Sequence, residues 1–167
     1  MIAPHWWPAY IGIGSNLDSP EDRVTSAAQL MSDLPDTQLV KQSGLYRSSP
    51  MGPSDQPDFV NTVVALVTQK SARQLLSELQ DIERQHGRTR GGKRWGPRTL
   101  DLDLLAYADQ VSDDEELTLP HPGIAERNFV LLPWQEIAPN FRLPGGADIS
   151  GMAASVSLTE PRIERIG

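Results

Sequence analysis

Apolar residues alternate with polar ones along some stretches of this chain and recur every three to four positions along others, which distinguishes strands from helices. Runs rich in β-branched residues predict strands over residues 10–14, 37–46, 59–68 and 100–106. Helical spacing predicts two helices, one after Pro20 and one reaching about Gln85. The order β-α-β-β-α-β is that of an α+β, ferredoxin-like core, in which a mainly antiparallel sheet carries its helices on one face.

The ends of the predicted helices have recognisable signals. Ser19 is a candidate cap for the first helix, with Pro20 at the first helical position. Ser71 and Gln74 form a capping-box pattern for the second helix. After the fourth strand the pattern is less regular, with a solvated turn at 113–116, a short helix at 129–137, a loop at 144–146 and a weak terminal helix. We expect a single domain over residues 1–167 with an irregular C-terminal extension.

Charge is unevenly distributed along the chain. The sequence holds 15 Lys and Arg against 22 Asp and Glu, a formal net charge of −7, but the segment from Arg84 to Arg98 has six basic residues and no acid. This basic segment carries +6, which leaves −13 for the rest of the chain. So acidic a surface excludes a general binder of nucleic acids or anionic membranes.

Cysteine is absent, which excludes disulfides, thiolate nucleophiles and Cys-ligated metal sites and suits a reducing compartment. The first residues lack the pattern of a signal peptide, and no apolar run approaches the roughly 18 residues of a membrane-spanning helix. We therefore expect a cytoplasmic protein with neither a membrane nor a nucleic-acid partner.

Two carboxylates stand two positions apart on the fourth predicted strand. Because side chains alternate along a strand, Asp101 and Asp103 point to one face and the neighbouring leucines to the other. Such a pair can hold Mg²⁺, which takes one or two protein carboxylates together with phosphate oxygens and water. The alternative is a solvent-facing strand with two acids of no special role.

The basic segment just upstream contains several glycines and opens directly onto these acids. Arginine binds phosphate oxygens in a bidentate manner, and glycines let the backbone close over a ligand. A magnesium-bound polyphosphate between the two charged groups would satisfy both. A surface loop making ion pairs is one alternative and an RNA-binding loop another, although Trp95 is the only aromatic residue in the loop.

Further candidate residues lie on other predicted strands and loops. Phe59 and Asn61 share one strand face and could recognise a flat heterocycle, or they could be a core Phe and a turn-capping Asn. His121 lies between two prolines, which preorganise it to reach a ligand. The glycines of residues 12–16 match neither a Rossmann fingerprint nor a Walker loop.

Residues 94–105, Arg-Trp-Gly-Pro-Arg-Thr-Leu-Asp-Leu-Asp-Leu-Leu, resemble the signature of the 6-hydroxymethyl-7,8-dihydropterin pyrophosphokinase family of folate biosynthesis. Further similar blocks lie at 10–16, 46–61 and 119–129, so the resemblance covers most of a core at about 9–140. It implies a ferredoxin-like fold and a Mg-dependent, monomeric enzyme. The implied reaction transfers pyrophosphate from ATP to the hydroxymethyl group of the dihydropterin and releases AMP.

The resemblance also implies roles for individual residues. The implied catalytic residues are Arg88, Arg98, Asp101 and Asp103, of which Asp101 and Asp103 hold two Mg²⁺ ions. The implied ATP-binding residues are Gln80, Glu83, Arg88, Arg90, Trp95, Arg98, Leu104, Thr118, His121 and Arg127. The implied pterin-binding residues are Ser48, Pro50, Met51, Gly52, Phe59, Asn61, Trp95 and Phe129.

The chain departs from the family pattern in a few places. Phe59 stands where Tyr is frequent, Ser48 where Thr is frequent, and Glu116 where some members have a basic residue. The acceptor of the substrate proton stays open between Asp101 and a metal-bound hydroxyl. Two other functions remain to be tested against this one, an RNA-binding ferredoxin-like module and a two-metal phosphohydrolase.

Overall fold

The computed structural model describes residues 4–17, 19–50, 52, 55–87 and 100–167. Its strands are β1 Trp7–Ser15, β2 Thr37–Gln42, β3 Tyr46–Ser48, β4 Phe59–Thr68, β5 Asp101–Tyr107, β6 Ser112–Asp114, β7 Leu117–Leu119 and β8 Ile163–Arg165. Its α-helices are α1 Pro20–Ser32, α2 Ala72–Gln85, α3 Asn128–Ile137 and α4 Ile149–Ser155, with a short 3-10 helix at Ile124–Glu126.

The main sheet has the order β5-β1-β4-β3-β8, and β2 also pairs with β4. All of these pairs are antiparallel. The single predicted strand over 37–46 is interrupted, because the hydroxyl of Ser43 accepts the N–H of Val63 at 3.0 Å and bonds to the hydroxyl of Thr62 at 2.8 Å. Strands β2 and β3 therefore lie along the two halves of β4, and the core has the predicted ferredoxin-like arrangement.

Both faces of this sheet are covered. As predicted, the two core helices α1 and α2 share one face, where Val24, Leu75 and Leu79 pack against inward residues of β1, β4 and β5. The C-terminal extension covers part of the other face, where fully buried Trp134 of α3 packs with Val63 and helix α4. Each large apolar side chain buried in this way contributes about 1.5–3 kcal/mol of transfer free energy.

The two predicted helix starts have different outcomes. The capping box of α2 is present, with the Ser71 hydroxyl accepting from the Gln74 N–H and the Gln74 side chain accepting from the Ser71 N–H. Pro20 begins α1 as predicted, but the predicted Ser19 side-chain cap is wrong. Ser19 has φ 61 and ψ 69, a left-handed conformation, whereas a capping side chain normally belongs to a residue with extended backbone.

The C-terminal third contains two features that the sequence pattern did not predict. Residues 113–116, expected to be a solvated turn, belong to a small hairpin in which β6 pairs with β7 and only Glu115 and Glu116 form the turn. The terminal strand β8 adds to the main sheet through β3. Among the described residues, no helix is both long and apolar enough to cross a membrane.

Candidate active site

A row of residues across the sheet joins the predicted acids to the predicted heterocycle site. Gly14 of β1 pairs with Asp101 on one side and with Asn61 on the other. Gly12 pairs in the same way with Asp103. Directly paired residues project to the same face of a sheet, so the acids and Asn61 flank a strand that contributes only glycines there. We call Gly12 and Gly14 the glycine floor.

The glycine floor is part of the reason that this face can hold a ligand. A Cβ atom at Gly14 would lie 3.2 Å from Oδ1 of Asn61 and 4.0 Å from Cδ1 of Phe59. A side chain here would crowd the amide and fill the space between Asn61 and Asp101. Asp101 and Asn61 lie on the two strands beside Gly14, so they are about two strand spacings, or about 9–10 Å, apart across the floor.

Asp103 lies beside two residues that the sequence placed at the ATP site. Its Oδ2 is 3.5 Å from Nη1 of Arg127, and its Oδ1 is 3.7 Å from Nε2 of His121. The Arg127 guanidinium also lies 5.9 Å from the ring centroid of Phe129. Arg127 therefore lies between Asp103 and the aromatic residue at the start of α3.

His121 is neutral in this environment. Burial, and secondarily the positive charge of Arg127, lower the pKa of His121 to about 4, although Asp101 acts in the opposite direction. Its Nδ1 accepts the backbone N–H of Gly123 at 3.1 Å, so the ring proton is on Nε2. The contact with Asp103 is therefore not an ion pair at neutral pH, because burial and the adjacent guanidinium outweigh the carboxylates. His121 can donate a hydrogen bond from Nε2.

Gly123 is a site residue that sequence reasoning missed. A Cβ atom at this position would lie 2.6 Å from Nε and 2.8 Å from Cζ of Arg127. Any side chain there would displace the guanidinium from its place beside Asp103. The requirement arises because the short 3-10 helix at Ile124–Glu126 brings Arg127 back over Gly123, and the sequence analysis did not consider this contact.

The predicted heterocycle site has a fixed amide. The Nδ2 of Asn61 donates to the hydroxyl of Ser48 at 2.8 Å and to the carbonyl of Tyr46 at 3.3 Å. With Nδ2 engaged, Oδ1 lies nearest the glycine floor and is available to accept from a ligand. Phe59 pairs with Ser48 and is half-buried beside the amide. This cluster brings together three of the predicted pterin-binding residues, Ser48, Phe59 and Asn61.

Two buried polar residues connect the end of β1 to the loop before β4. Nδ2 of Asn16 donates to Oε1 of Gln56 and to the carbonyl of Pro57, each at 2.9 Å. Asn16 is 1% exposed and Gln56 is 8% exposed. They anchor the loop that carries the predicted residues Pro50 and Gly52, both half-buried. Sequence reasoning assigned them no role, although both fall within the blocks of family resemblance.

The predicted ATP-binding residues of α2 lie next to β5. Glu83 is 3% exposed, and its Oε2 accepts the backbone N–H of Leu102 at 2.9 Å. Gln80, one turn earlier, is half-buried. The side chain of Leu104 is only 5% exposed and packs in the core with α2. Because Leu104 is two residues from Leu102, its peptide group points to the same outer edge of β5 and is the part that a ligand can reach.

One further predicted residue lies on β7, which contacts β5 and α2, and others lie outside the described residues. Thr118 is exposed on β7, where its hydroxyl donates to the carbonyl of Asp114 at 2.9 Å. The predicted residues that lie outside the described residues are Met51, Arg88, Arg90, Trp95 and Arg98.

The donor set near the floor suits a hard cation shared with a ligand. Within the described ranges, no group of three or more His, Asp or Glu residues could hold a metal ion on its own. Asp101 and Asp103 offer carboxylate oxygens on one strand face, and the Asp103 side chain is 28% exposed. Two carboxylates that need further oxygen ligands match the way Mg²⁺ binds together with phosphates.

Comparison with known proteins identifies the family. Residues 10–139 match the model of the 7,8-dihydro-6-hydroxymethylpterin-pyrophosphokinase family. The chain is similar to the 2-amino-4-hydroxy-6-hydroxymethyldihydropteridine pyrophosphokinase of Haemophilus influenzae, with 46% identity over 142 residues, covering 85% of this chain and 88% of that protein. The protein of the same name from Pseudomonas aeruginosa is 45% identical over 146 residues, covering 87% of this chain and 90% of that one.

A solved structure shows a similar fold at low sequence identity. The Plasmodium falciparum HPPK-DHPS wild type with SDX-DHP matches with a TM-score of 0.70 at 12% identity, over 90% of this chain. The present chain spans only 44% of that longer chain. With the family model matching most of the residues from β1 to α3, this chain belongs to the 7,8-dihydro-6-hydroxymethylpterin-pyrophosphokinase family, the ATP-dependent pyrophosphotransferases of folate biosynthesis.

Proposed function

We propose that this chain transfers a pyrophosphoryl group from ATP to the hydroxymethyl group of 6-hydroxymethyl-7,8-dihydropterin, with the glycine floor between the two substrates. The observation that carries this proposal is the row from Asp101 across Gly14 to Asn61. A pterin held at Asn61 and Phe59 would direct its hydroxymethyl group over the floor towards the acids. In the reaction, the hydroxyl oxygen bonds to the β-phosphorus, the hydroxyl proton passes to a base for which Asp101 is a candidate, and the bond between the β-phosphorus and the bridging oxygen of the departing AMP breaks.

Pterin recognition is assigned to the cluster around Asn61. Its Oδ1 accepts from an N–H of the ring, because Ser48 and the Tyr46 carbonyl already engage Nδ2. Phe59 and Phe129 stack on the two faces of the ring, and Pro50, Met51, Gly52 and Trp95 complete the pocket. The replacement of the family's frequent Tyr by Phe59 retains stacking and removes one hydroxyl.

ATP is assigned to the outer edge of β5 and to the basic segment. Gln80, Glu83 and the peptide group of Leu104 face the same edge, and Thr118, His121 and Arg127 lie on the following segments. Arg88, Arg90 and Arg98 contribute phosphate contacts, and Trp95 helps to close the site. Positioning and electrostatic stabilisation supply most of the catalysis in this kind of transfer, which fits a chain without cysteine.

Two Mg²⁺ ions would be held by Asp101 and Asp103 together with the triphosphate. When bound, such ions neutralise the charge that develops on the phosphate oxygens. Arg127 lies 3.5 Å from Asp103 and orients that carboxylate without replacing the cation. The neutral ring of His121 donates from Nε2 and adds no positive charge that would oppose the metal ions.

We further propose that the protein acts as a cytoplasmic monomer without a nucleic-acid partner. The net charge of −7 opposes polyanion binding outside the basic segment, and the absence of cysteine fits a reducing compartment. Size-exclusion chromatography with light scattering tests the oligomeric state. A stable dimer at micromolar concentration would contradict the monomer.

Product analysis tests the reaction itself. The protein is incubated with MgATP and the pterin, and the products are separated by chromatography. We expect AMP and the pterin diphosphate in equal amounts, formed only when both substrates are present. Formation of ADP, or phosphate release without pterin, would instead support a phosphohydrolase. RNA binding without turnover would support the RNA-binding alternative.

A further inference from the structure

The C-terminal segment 157–165 bonds to two walls of the proposed pterin pocket, and a buried amide makes the first connection. Asn128, 0% exposed at the start of α3, donates from Nδ2 to the carbonyl oxygens of Ser157 and Pro161, each at 2.8 Å. The next residue is Phe129, assigned above to the pterin. The wall that carries Phe129 is therefore tied to the C-terminal segment.

The amide of Asn128 is not explained by stability alone. Its Oδ1 is buried without a hydrogen-bond partner among the described residues, which opposes folding. An apolar side chain of similar volume would avoid this desolvation cost. Such a side chain could not donate the two hydrogen bonds that hold the C-terminal segment in position.

The second connection is to β3, on the other wall. Ser48 pairs with Ile163 of β8. The N–H of Ser49 donates to the carbonyl of Arg162, and the N–H of Arg162 donates to the hydroxyl of Ser49, each at 2.9 Å. Ser48 in turn holds Asn61 through its hydroxyl. The C-terminal segment is thus linked, through Ser48, to the Asn61 amide that is proposed to recognise the pterin.

A third connection joins the same elements farther along. Oε1 of Glu136 on α3 accepts from Tyr46 on β3 at 2.7 Å and from Nε of Arg165 on β8 at 3.0 Å. Its Oε2 accepts the N–H of Gly44 at 2.7 Å. Glu136 keeps α3, β3 and β8 together even when one of the other two connections is removed, so single substitutions at those positions are expected to leave the fold intact.

Hydrogen bonds rather than close packing position the segment near the pocket. A cavity of about 490 Å³ lies between Ser49 and Pro50 on one side and residues 159–162 on the other. Because this space is open, the segment is not held there by a packed core. Its position beside α3 depends on the bonds of Asn128, and its position beside β3 depends on the pairing of β8 with β3 and on the bonds of Ser49.

We propose that Asn128 is a positioning residue for pterin binding, which acts through the C-terminal segment on the spacing between Phe129 and Ser48. This inference rests on the proposed function, since it takes the pterin to lie between those two walls. Without the Asn128 bonds, the distance between Phe129 and Ser48 varies more widely, and pterin binding is weaker. It leaves the ATP-binding edge of β5 unchanged.

The test uses the full chain with Asn128→Ala, and with Asn140→Ala, an exposed Asn beyond α3, as the matched control. Equilibrium binding of the pterin and of a nonhydrolysable MgATP analogue is measured for each, together with both KM values. For Asn128→Ala we expect the pterin Kd and KM to rise about tenfold, with kcat and the ATP KM within about twofold of the original. The control should match the original chain.

Ser49→Ala keeps the test decisive if Asn128→Ala does not fold. It removes only the hydroxyl that accepts from Arg162, and we expect a rise of about threefold in pterin Kd with unchanged affinity for the ATP analogue. Unchanged pterin affinity in the folded variants, or an equal loss for both substrates, would overturn the positioning role. Failure of the original chain to bind pterin would refute the proposed function before any variant is compared.

Discussion

At the scale of single residues, the ionisable groups near the glycine floor differ in charge and in surroundings. Arg127 is held by the space that Gly123 leaves and faces Asp103, while His121 is kept neutral by burial. The carboxylates are therefore the negative groups of this cluster, and Arg127 lies 3.5 Å from Oδ2 of Asp103. These are the surroundings in which we propose a metal-binding role for the acids.

Substitution of one acid tests that role. Asp103→Ala removes a proposed Mg²⁺ ligand, and we expect kcat to fall at least about a hundredfold, because the developing phosphate charge loses its stabilisation. The measurement is turnover across a magnesium titration. Asp109→Ala, at an exposed turn just after β5, is the control and should behave as the original chain. Turnover of Asp103→Ala near the original rate at saturating magnesium would show that the assignment is wrong.

At the scale of elements, helix α2 holds strand β5 in position. Its apolar stripe packs on the sheet, and Glu83 accepts the outward N–H of Leu102 between the two acids. The helix begins at the capping box of Ser71 and Gln74. Its stability therefore bears directly on the position of β5.

Removal of the cap gives a stability prediction for this helix. Ser71→Ala should lower the free energy of unfolding by about 1 kcal/mol, since the Gln74 N–H loses its acceptor. Ser77→Ala on an exposed position of the same helix is the matched control, and it should be neutral or stabilising by a few tenths of a kcal/mol, about the propensity difference between Ser and Ala. Urea unfolding of both variants measures the difference. Equal effects of the two substitutions would contradict the capping role.

At the scale of the whole molecule, two layers of helices sandwich the sheet and bury parts of all three tyrosines in the chain. Burial raises the pKa of Tyr10 and of Tyr107. Burial, together with the carboxylate of Glu136, raises the pKa of Tyr46 to about 12. The pKa values of the three tyrosines thus depend on the packing of both helix layers against the sheet.

An alkaline titration followed by phenolate absorbance tests these contacts. We expect the folded chain to ionise its tyrosines above the ordinary pKa of 10.0, and the denatured chain to ionise them near it. The folded state holds the phenol protons more tightly than the unfolded state. The contribution of these protons to the free energy of unfolding is therefore complete below pH 10 and is lost as pH rises towards about 12. Tyr46→Phe should remove the most alkaline part of the transition. Complete ionisation near pH 10 in a chain that is still folded would refute the burial.

Local patterns account for the elements that were predicted correctly. Strand β4 and helix α2 begin and end where their periodicity and capping residues indicate. The interruption between β2 and β3 escaped prediction because it depends on bonds from Ser43 to residues 62 and 63, about twenty positions away. Strand β8 escaped for a similar reason, since its three residues form a strand only by pairing with β3.

The sequence by itself determined the strand and helix periods, the shared face of Asp101 and Asp103, and the family signature, because each depends on residues close together in the chain. Only the tertiary structure shows that Gly14 lies between Asp101 and Asn61 and that Arg127 lies beside Asp103. It also decided that Glu83 is buried against Leu102 and that Asn128 holds the C-terminal segment. These depend on strand register and on packing between distant segments, which local propensity and side-chain alternation do not specify.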